Sequence, residues 1–199
     1  AFKSLRASSQ IYRPAVSRYL LGEASPKNAL LSWNADGTRM PQRMHREYLR
    51  HCYLNNDLAE ARYCVDGQPV CVGDIAVPTF VLATVTDHVA PWKSGYKAVR
   101  LMHTDLTFAL TTAGHNAGIV SGPEHPRRRF QVATRHAGGR YIDPDAWRSE
   151  TPQQQGSWWP SWDLWLDEQM GGSRMPPRTG APDEGYPVLR DAPGEYVLD

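Results

Sequence analysis

Cysteine is scarce in this sequence. Three residues, Cys52, Cys64 and Cys71, form an odd set that supplies neither a disulfide framework nor a metal-ligand spacing. They read as reduced thiols, each a small buried apolar residue, in a cytoplasmic protein. No CxxC, HExxH or glycine-rich phosphate loop occurs, so a metal or nucleotide site has no residues to stand on. Charge of one sign is also lacking. The 22 basic and 21 acidic residues leave a formal net charge of +1, which gives no field for nucleic acid or a membrane surface. The longest apolar runs, such as IAVPTFVLATV (75–85), are far short of a bilayer span and carry a proline. There is no internal repeat and no apolar signal-peptide core. The first residue is not Met, from which we expect a chain cut from something longer.

What is there begins with helical patterning. Residues 1–22 place Ile11, Val16, Tyr19, Leu20 and Leu21 ahead of Gly22. ALLSWNADGT (29–38) is a short apolar stretch closed by Asp36-Gly37. Pro41 opens a second helix, expected over roughly 42–58, with Met44, Tyr48, Leu49, Cys52 and Tyr53 on one face. Asp66-Gly67 between two β-favouring pieces is a hairpin signal. Then the pattern becomes strand (79–86), helix (93–102), strand (105–114), a unit that favours a parallel sheet with helices on its faces. The basic stretch GPEHPRRRF (122–130) reads as a loop, residues 162–170 as a short helix ended by Gly171-Gly172, and the part from 173 on as an extended tail.

In such sheets ligand chemistry gathers beyond the carboxyl ends of the strands. Asp87 follows the first strand there and His115 follows the second, 28 residues later, between glycines 114 and 118. A carboxylate bonded to one imidazole nitrogen fixes the ring's tautomer, so that the other nitrogen can take a proton from a nucleophile. The competing reading, two polar residues on a solvated surface, stands beside this one. His88 is a candidate substrate-binding group or a donor to the pair. His45, His51, His103, His125 and His136 have no supporting context and are left structural.

The third member of such a site is missing. No G-x-S-x-G or G-x-C-x-G elbow occurs in the chain. None of the three cysteines has the strand–turn–helix context an elbow requires, and Ser121 follows the histidine in the wrong order.

LLSWNADGTRMP (30–41), YLRHCYLNNDL (48–58), TDHVAPW (86–92), AGHNAGIVSGP (113–123), GSWWPSWDLWL (156–166) and the closing APGEYVLD occur in the order found in polyhydroxyalkanoate synthases, which this chain resembles over nearly its whole length. The resemblance implies the C-terminal portion of an α/β-hydrolase fold: residues 1–60 a helical part of the cap region, 61–172 the last parallel strands and helices of the core, 173–199 a Pro/Gly-rich tail. It implies an enzyme that polymerises (R)-3-hydroxyacyl-CoA into polyester with release of coenzyme A. Coenzyme A is there part of the substrate, and no cofactor is implied. Its partners would be the growing polyester chain, the polyester granule surface in the cytoplasm and a second copy in a homodimer, with no nucleic acid and no membrane span.

By position in the resembling blocks, Asp87 matches the family's catalytic acid, His115 its catalytic base, and Trp33 a tryptophan near the substrate entrance. The cysteine nucleophile of the family lies upstream of everything matched, so the segment alone is expected neither to polymerise nor to fold stably. Asn116 stands where many members carry Ile, and Val89-Ala90 where Ile-Val is common, departures that bear on substrate side-chain preference. A depolymerase or acyl-CoA thioesterase of the same fold, and a non-enzymatic remnant, are the alternatives. Trp158, Trp159, Trp162 and Trp165 are expected to clamp the C-terminal helix onto the sheet. Arg127–Arg129 are either a solvated loop or contacts for coenzyme A phosphates.

Overall fold

The computed structural model describes residues 12–23 and 39–191; Trp33 and the closing APGEYVLD lie outside them. Residues Gln42–Met175 form one compact unit, and the described residues 12–23, 39–41 and 176–191 belong to a second.

In the second unit, helix α1 (Arg13–Ala15) continues into a wider, π-type winding at Val16–Leu20, where Leu21 N–H reaches the Val16 carbonyl at 3.1 Å. The stretch expected to be an extended tail contains a closed turn. Ala181 and Tyr186 bridge around Pro182–Glu184, and Gly185 takes φ +86°. A Cβ on Gly180 would sit 2.9 Å from the Tyr186 carbonyl, so this turn needs a residue without a side chain.

The larger unit opens with α2 (Gln42–Tyr48), which widens into π-type turns over Leu49–Leu54 and stops short of the expected residue 58. The apolar face read from the sequence lies on the surface here: Met44 is 57% and Tyr53 69% exposed. β1 (Tyr63–Val65) and β2 (Gln68–Val70) form the hairpin that Asp66-Gly67 predicts. Both turn residues have positive φ, 49° and 78°, as a two-residue turn matched to strand twist requires.

The strand–helix–strand unit follows. β3 (Thr79–Thr84) and β4 (Leu106–Thr111) pair in parallel, Val81 beside Phe108 and Ala83 beside Leu110. The helix between them is interrupted at Lys97 into α3 (Trp92–Tyr96) and α4 (Ala98–Leu101). β5 (Arg129–Arg135) runs antiparallel to β4, and the short β6 (Gln154–Gln155) antiparallel to β5. The purely parallel expectation is thereby corrected to a mixed sheet ordered β3-β4-β5-β6. The chain leaves β4 and enters β5 at the same end, with no crossover helix to carry it back, so β5 can only run the other way.

Alternation along the strands sorts two layers. Val81, Phe108, Leu110 and Ala133 face α3, α4 and α5 (Pro144–Glu150), where Phe108 packs edge to face with Tyr96 at 4.9 Å and Trp147 at 5.1 Å between ring centroids, and Tyr96 and Trp147 meet tilted at 5.7 Å. Phe108 is 1% exposed, and burial on that scale contributes about 1.5–3 kcal/mol. Tyr96 donates its hydroxyl to the Ile142 carbonyl at 3.0 Å; burial first, then Tyr141 and Asp143, pushes its pKa up to about 12. On the opposite face Phe80 meets Trp158 and Trp165 at 6.1 and 5.5 Å, which seats α6 (Trp159–Gln169) across the sheet. α6 starts at Trp159, three residues before the expected point, because Pro160 suits a first turn that needs no donor there.

Among the described residues no helix is long and apolar enough to cross a membrane.

Candidate active site

Parallel pairing puts the exits of β3 and β4 side by side, and the ladder runs on beyond them. Val85 N–H reaches the Thr111 carbonyl at 2.9 Å, and Thr86 N–H the Ala113 carbonyl at 3.2 Å. Ala113 itself has φ +86°, a left-handed turn for a residue with a Cβ, costing on the order of 1 kcal/mol. It bends the chain sharply off β4. Asp87 and His115, one and two residues past that last backbone bond, come together: His115 Nδ1–H donates to Asp87 Oδ2 at 2.8 Å.

The other oxygen, Asp87 Oδ1, accepts the N–H groups of Val89 at 2.8 Å and Ala90 at 2.9 Å. The carboxylate side chain is 7% exposed, the imidazole 36%. Burial alone would raise the Asp87 pKa, but the Ala90 N–H, the His115 ring and the Val89 N–H together outweigh it and hold the carboxyl below its ordinary value. Asp87 is thus an ionised acceptor locked by its own loop. At the positions of the sequence departures, Val89 and Ala90 supply backbone N–H groups and Asn116 a carbonyl for Ile119 and Val120 N–H, bonds that do not depend on their side chains.

The loop after His115 is held from outside. Arg128 Nη2 donates to the Ala117 carbonyl at 3.2 Å, Trp158 Nε1 to Gly118 at 3.3 Å, Trp159 Nε1 to Ile119 at 2.8 Å, and Ser157 Oγ to Ser121 at 2.8 Å. Ser121 Oγ donates to the Ala117 carbonyl and accepts Arg128 Nε at 2.8 Å, so this serine is part of the loop's own bonding. Gly118 is required by space: a Cβ there would lie 2.6 Å from the Thr112 carbonyl. At Gly114 the same atom would be 3.6 Å from the Thr86 carbonyl, ordinary contact.

His88 is exposed, adjacent to Asp87 in the turn. The cysteines sit elsewhere. Cys52 lies in the widened end of α2, and Cys71 Sγ accepts Gly73 N–H at 3.3 Å in a small cap. Cys64 is exposed in the hairpin, which corrects the buried reading: a three-residue strand of a two-stranded hairpin leaves a face uncovered.

Two more imidazole–carboxylate pairs were not anticipated. His51 Nδ1 meets Asp57 Oδ2 at 2.7 Å, with Arg62 Nε on Asp57 Oδ1 at 3.1 Å. The His51 bond first, with Asn55 and Arg62 behind it, holds the Asp57 pKa low. This cluster ties the end of α2 to the start of the hairpin. His136 and Asp105 pair at 3.1 Å on the exposed far end of the sheet. The LNND run 54–57 followed by Arg62 was the available signal for the first. No group of three or more His, Cys, Asp or Glu side chains among the described residues is placed to hold a metal ion.

These features define a class: a mixed α/β segment whose parallel strands present a carboxylate–imidazole pair at their carboxyl ends. The particular relatives are poly(3-hydroxyalkanoate) polymerases. The chain is 38% identical over 200 residues to the poly(3-hydroxyalkanoate) polymerase subunit PhaC of Rhizobium etli, covering 100% of this chain and 30% of that protein. Against the subunit of the same name from Rhizobium meliloti it is 38% identical over 199 residues, 99% of this chain and 31% of that one. With the Cupriavidus necator subunit the identity is 34% over 197 residues, 98% and 33% respectively. The chain therefore spans about a third of the length of the curated relatives it matches and corresponds to their C-terminal part. No family model matches it.

Proposed function

We propose that this chain is the acid–base segment of a polyhydroxyalkanoate synthase with an α/β-hydrolase core, polymerising (R)-3-hydroxyacyl-CoA and releasing coenzyme A. The single observation that carries the reading is the 2.8 Å contact between His115 and Asp87, inside a chain similar throughout to poly(3-hydroxyalkanoate) polymerases. His115, its Nδ1–H held by Asp87, takes the proton of a cysteine thiol supplied by the rest of the enzyme. The thiolate attacks the thioester carbonyl, a carbon–sulfur bond to the enzyme forms, and the bond to coenzyme A breaks. The departing sulfur leaves as the thiol with the proton from His115. The same ring next deprotonates the 3-hydroxyl that attacks the acyl-enzyme; the new ester bond forms, the carbon–sulfur bond to the enzyme breaks, and the cysteine leaves as the thiol with that proton.

His88 and Trp33 are substrate-binding residues in this proposal. The working enzyme is a cytoplasmic homodimer on the polyester granule, and the segment alone is inactive because it brings acid and base without the nucleophile.

A chimera tests this: the chain replaces the matching C-terminal segment of the Rhizobium meliloti polymerase. Polyester formation from hydroxyacyl-CoA, lost in the H115A and D87A variants, is the expected result. A soluble, folded chimera that makes no polymer, or one indifferent to H115A, would overturn it.

A further inference from the structure

The Gly-Ser-Trp-Trp block has more to do than seat α6. Four of the five carbonyls of residues 117–121 accept a donor from outside their loop, and three of those donors, Ser157 Oγ, Trp158 Nε1 and Trp159 Nε1, come from one tripeptide. The fourth is Arg128. Ser157 is doubly engaged, since its Oγ also accepts Trp159 N–H at 3.2 Å, which orders the tripeptide itself. Behind it, Gly156 N–H bonds the Arg128 carbonyl at 2.7 Å and β6 pairs with the first residues of β5. The donors are thereby anchored on the sheet, independently of the loop they hold.

Packing explains Trp158, which is 7% exposed against Phe80 and Trp162. It does not explain Trp159. That ring is 37% exposed, too open for burial to be its main purpose, yet its N–H makes the shortest indole bond to the loop, 2.8 Å to Ile119. The loop leaves its strand through a strained Ala113, carries a partly exposed imidazole, and leaves its own Ile119 and Val120 exposed. Without external donors its carbonyls would be satisfied by water in many arrangements, and the ring would share that freedom. Proton transfer depends steeply on the placement of the base.

We infer that Ser157, Trp158, Trp159 and Arg128 are positioning residues that fix His115 for proton transfer by gripping the carbonyls of residues 117–121. This rests on His115 being the base, as proposed above. It assigns the tryptophan pair to the reaction through the loop, with no contact to substrate.

The test uses the chimera and Trp159→Phe, which keeps the aromatic packing and removes the N–H; Trp158→Phe serves as a second variant. Backbone hydrogen exchange over residues 113–122 is read by mass spectrometry, and kcat and KM for hydroxyacyl-CoA are measured. Loss of one such bond corresponds to about fivefold. The expected result is exchange about fivefold faster in this loop and kcat about fivefold lower, with KM unchanged. In the double variant with Asp87→Asn, the tryptophan change should cost less than it does alone, because both act through the orientation of one ring. Unaltered exchange, faster exchange with unaltered kcat, or fully multiplicative losses would each overturn the inference. If H115A proves as active as the chimera, the reading of His115 fails instead, and loop exchange still reports on the brace separately.

Discussion

His115 and Asp87 face each other at 2.8 Å across two parallel strand exits, while a backbone bond between Thr86 and Ala113 ties the same two loops just before them. Side chains and main chain thus fix one geometry twice. The acid spends one oxygen on the base and the other on its own turn, so the imidazole meets a carboxylate whose orientation is already set.

Replacing Asp87 by Asn should leave the loop folded and remove the charge that holds the tautomer. We expect kcat for polyester synthesis in the chimera to fall on the order of 10³- to 10⁴-fold. Release of free coenzyme A against time checks this; a loss under tenfold would contradict the assigned role.

Because the folded-state Asp87 carboxyl titrates below its ordinary value, its ionised form stabilises the fold. That contribution is complete above the unfolded value of about 3.9 and is lost as pH falls through the lower folded value. Denaturant midpoints of the chimera at about pH 3 and pH 5.5 should therefore differ more in the parent than in D87N. Equal acid sensitivity of the two proteins would argue against the coupling.

Gly118→Ala drives a methyl to 2.6 Å from the Thr112 carbonyl, whereas Gly114→Ala meets nothing closer than 3.6 Å. We expect G118A to cost about 1–3 kcal/mol and most of the activity, and G114A little of either. Thermal melting of the two variants side by side decides it.

The arginines at 127–129 now separate. Arg128 is bound to the His115 loop, while Arg127 is exposed and its backbone N–H bonds His125 Nδ1 at 3.4 Å. R128A should lower kcat, and R127A, if phosphates of coenzyme A dock on this edge, should raise KM for the thioester. An R127A enzyme with unchanged KM removes the phosphate reading.

The parallel pair was legible because IAVPTFVLATV and DLTFALTTAG are apolar runs with turn residues at both ends. The pairing of Asp87 with His115 followed from their place past those ends. β5 was not, since RFQVATR mixes charged and apolar positions; its Gln131 is buried only because Arg148 and Thr151 offer carbonyls at 2.7 and 2.6 Å. α5 did carry a signal, Asp143 capping Asp145 N–H ahead of a first-turn proline, that tryptophan content overshadowed. The grip of Ser157, Trp158 and Trp159 on the loop depends on which carbonyls tertiary folding brings within reach, and no periodicity encodes that. The stripe on α2 was read correctly as apolar, but periodicity names a face without naming what lies against it.

β3 has a ladder partner on one side only among the described residues, and β4 is closed off on its far side by β5. On the proposed reading, the thiol-bearing part of the parent enzyme would join the sheet on the β3 side, the side of Asp87. An imidazole carried on an overhang keeps its aim only if the overhang is propped, and the span from β4 to β5 is tethered at four carbonyls, those of residues 117, 118, 119 and 121.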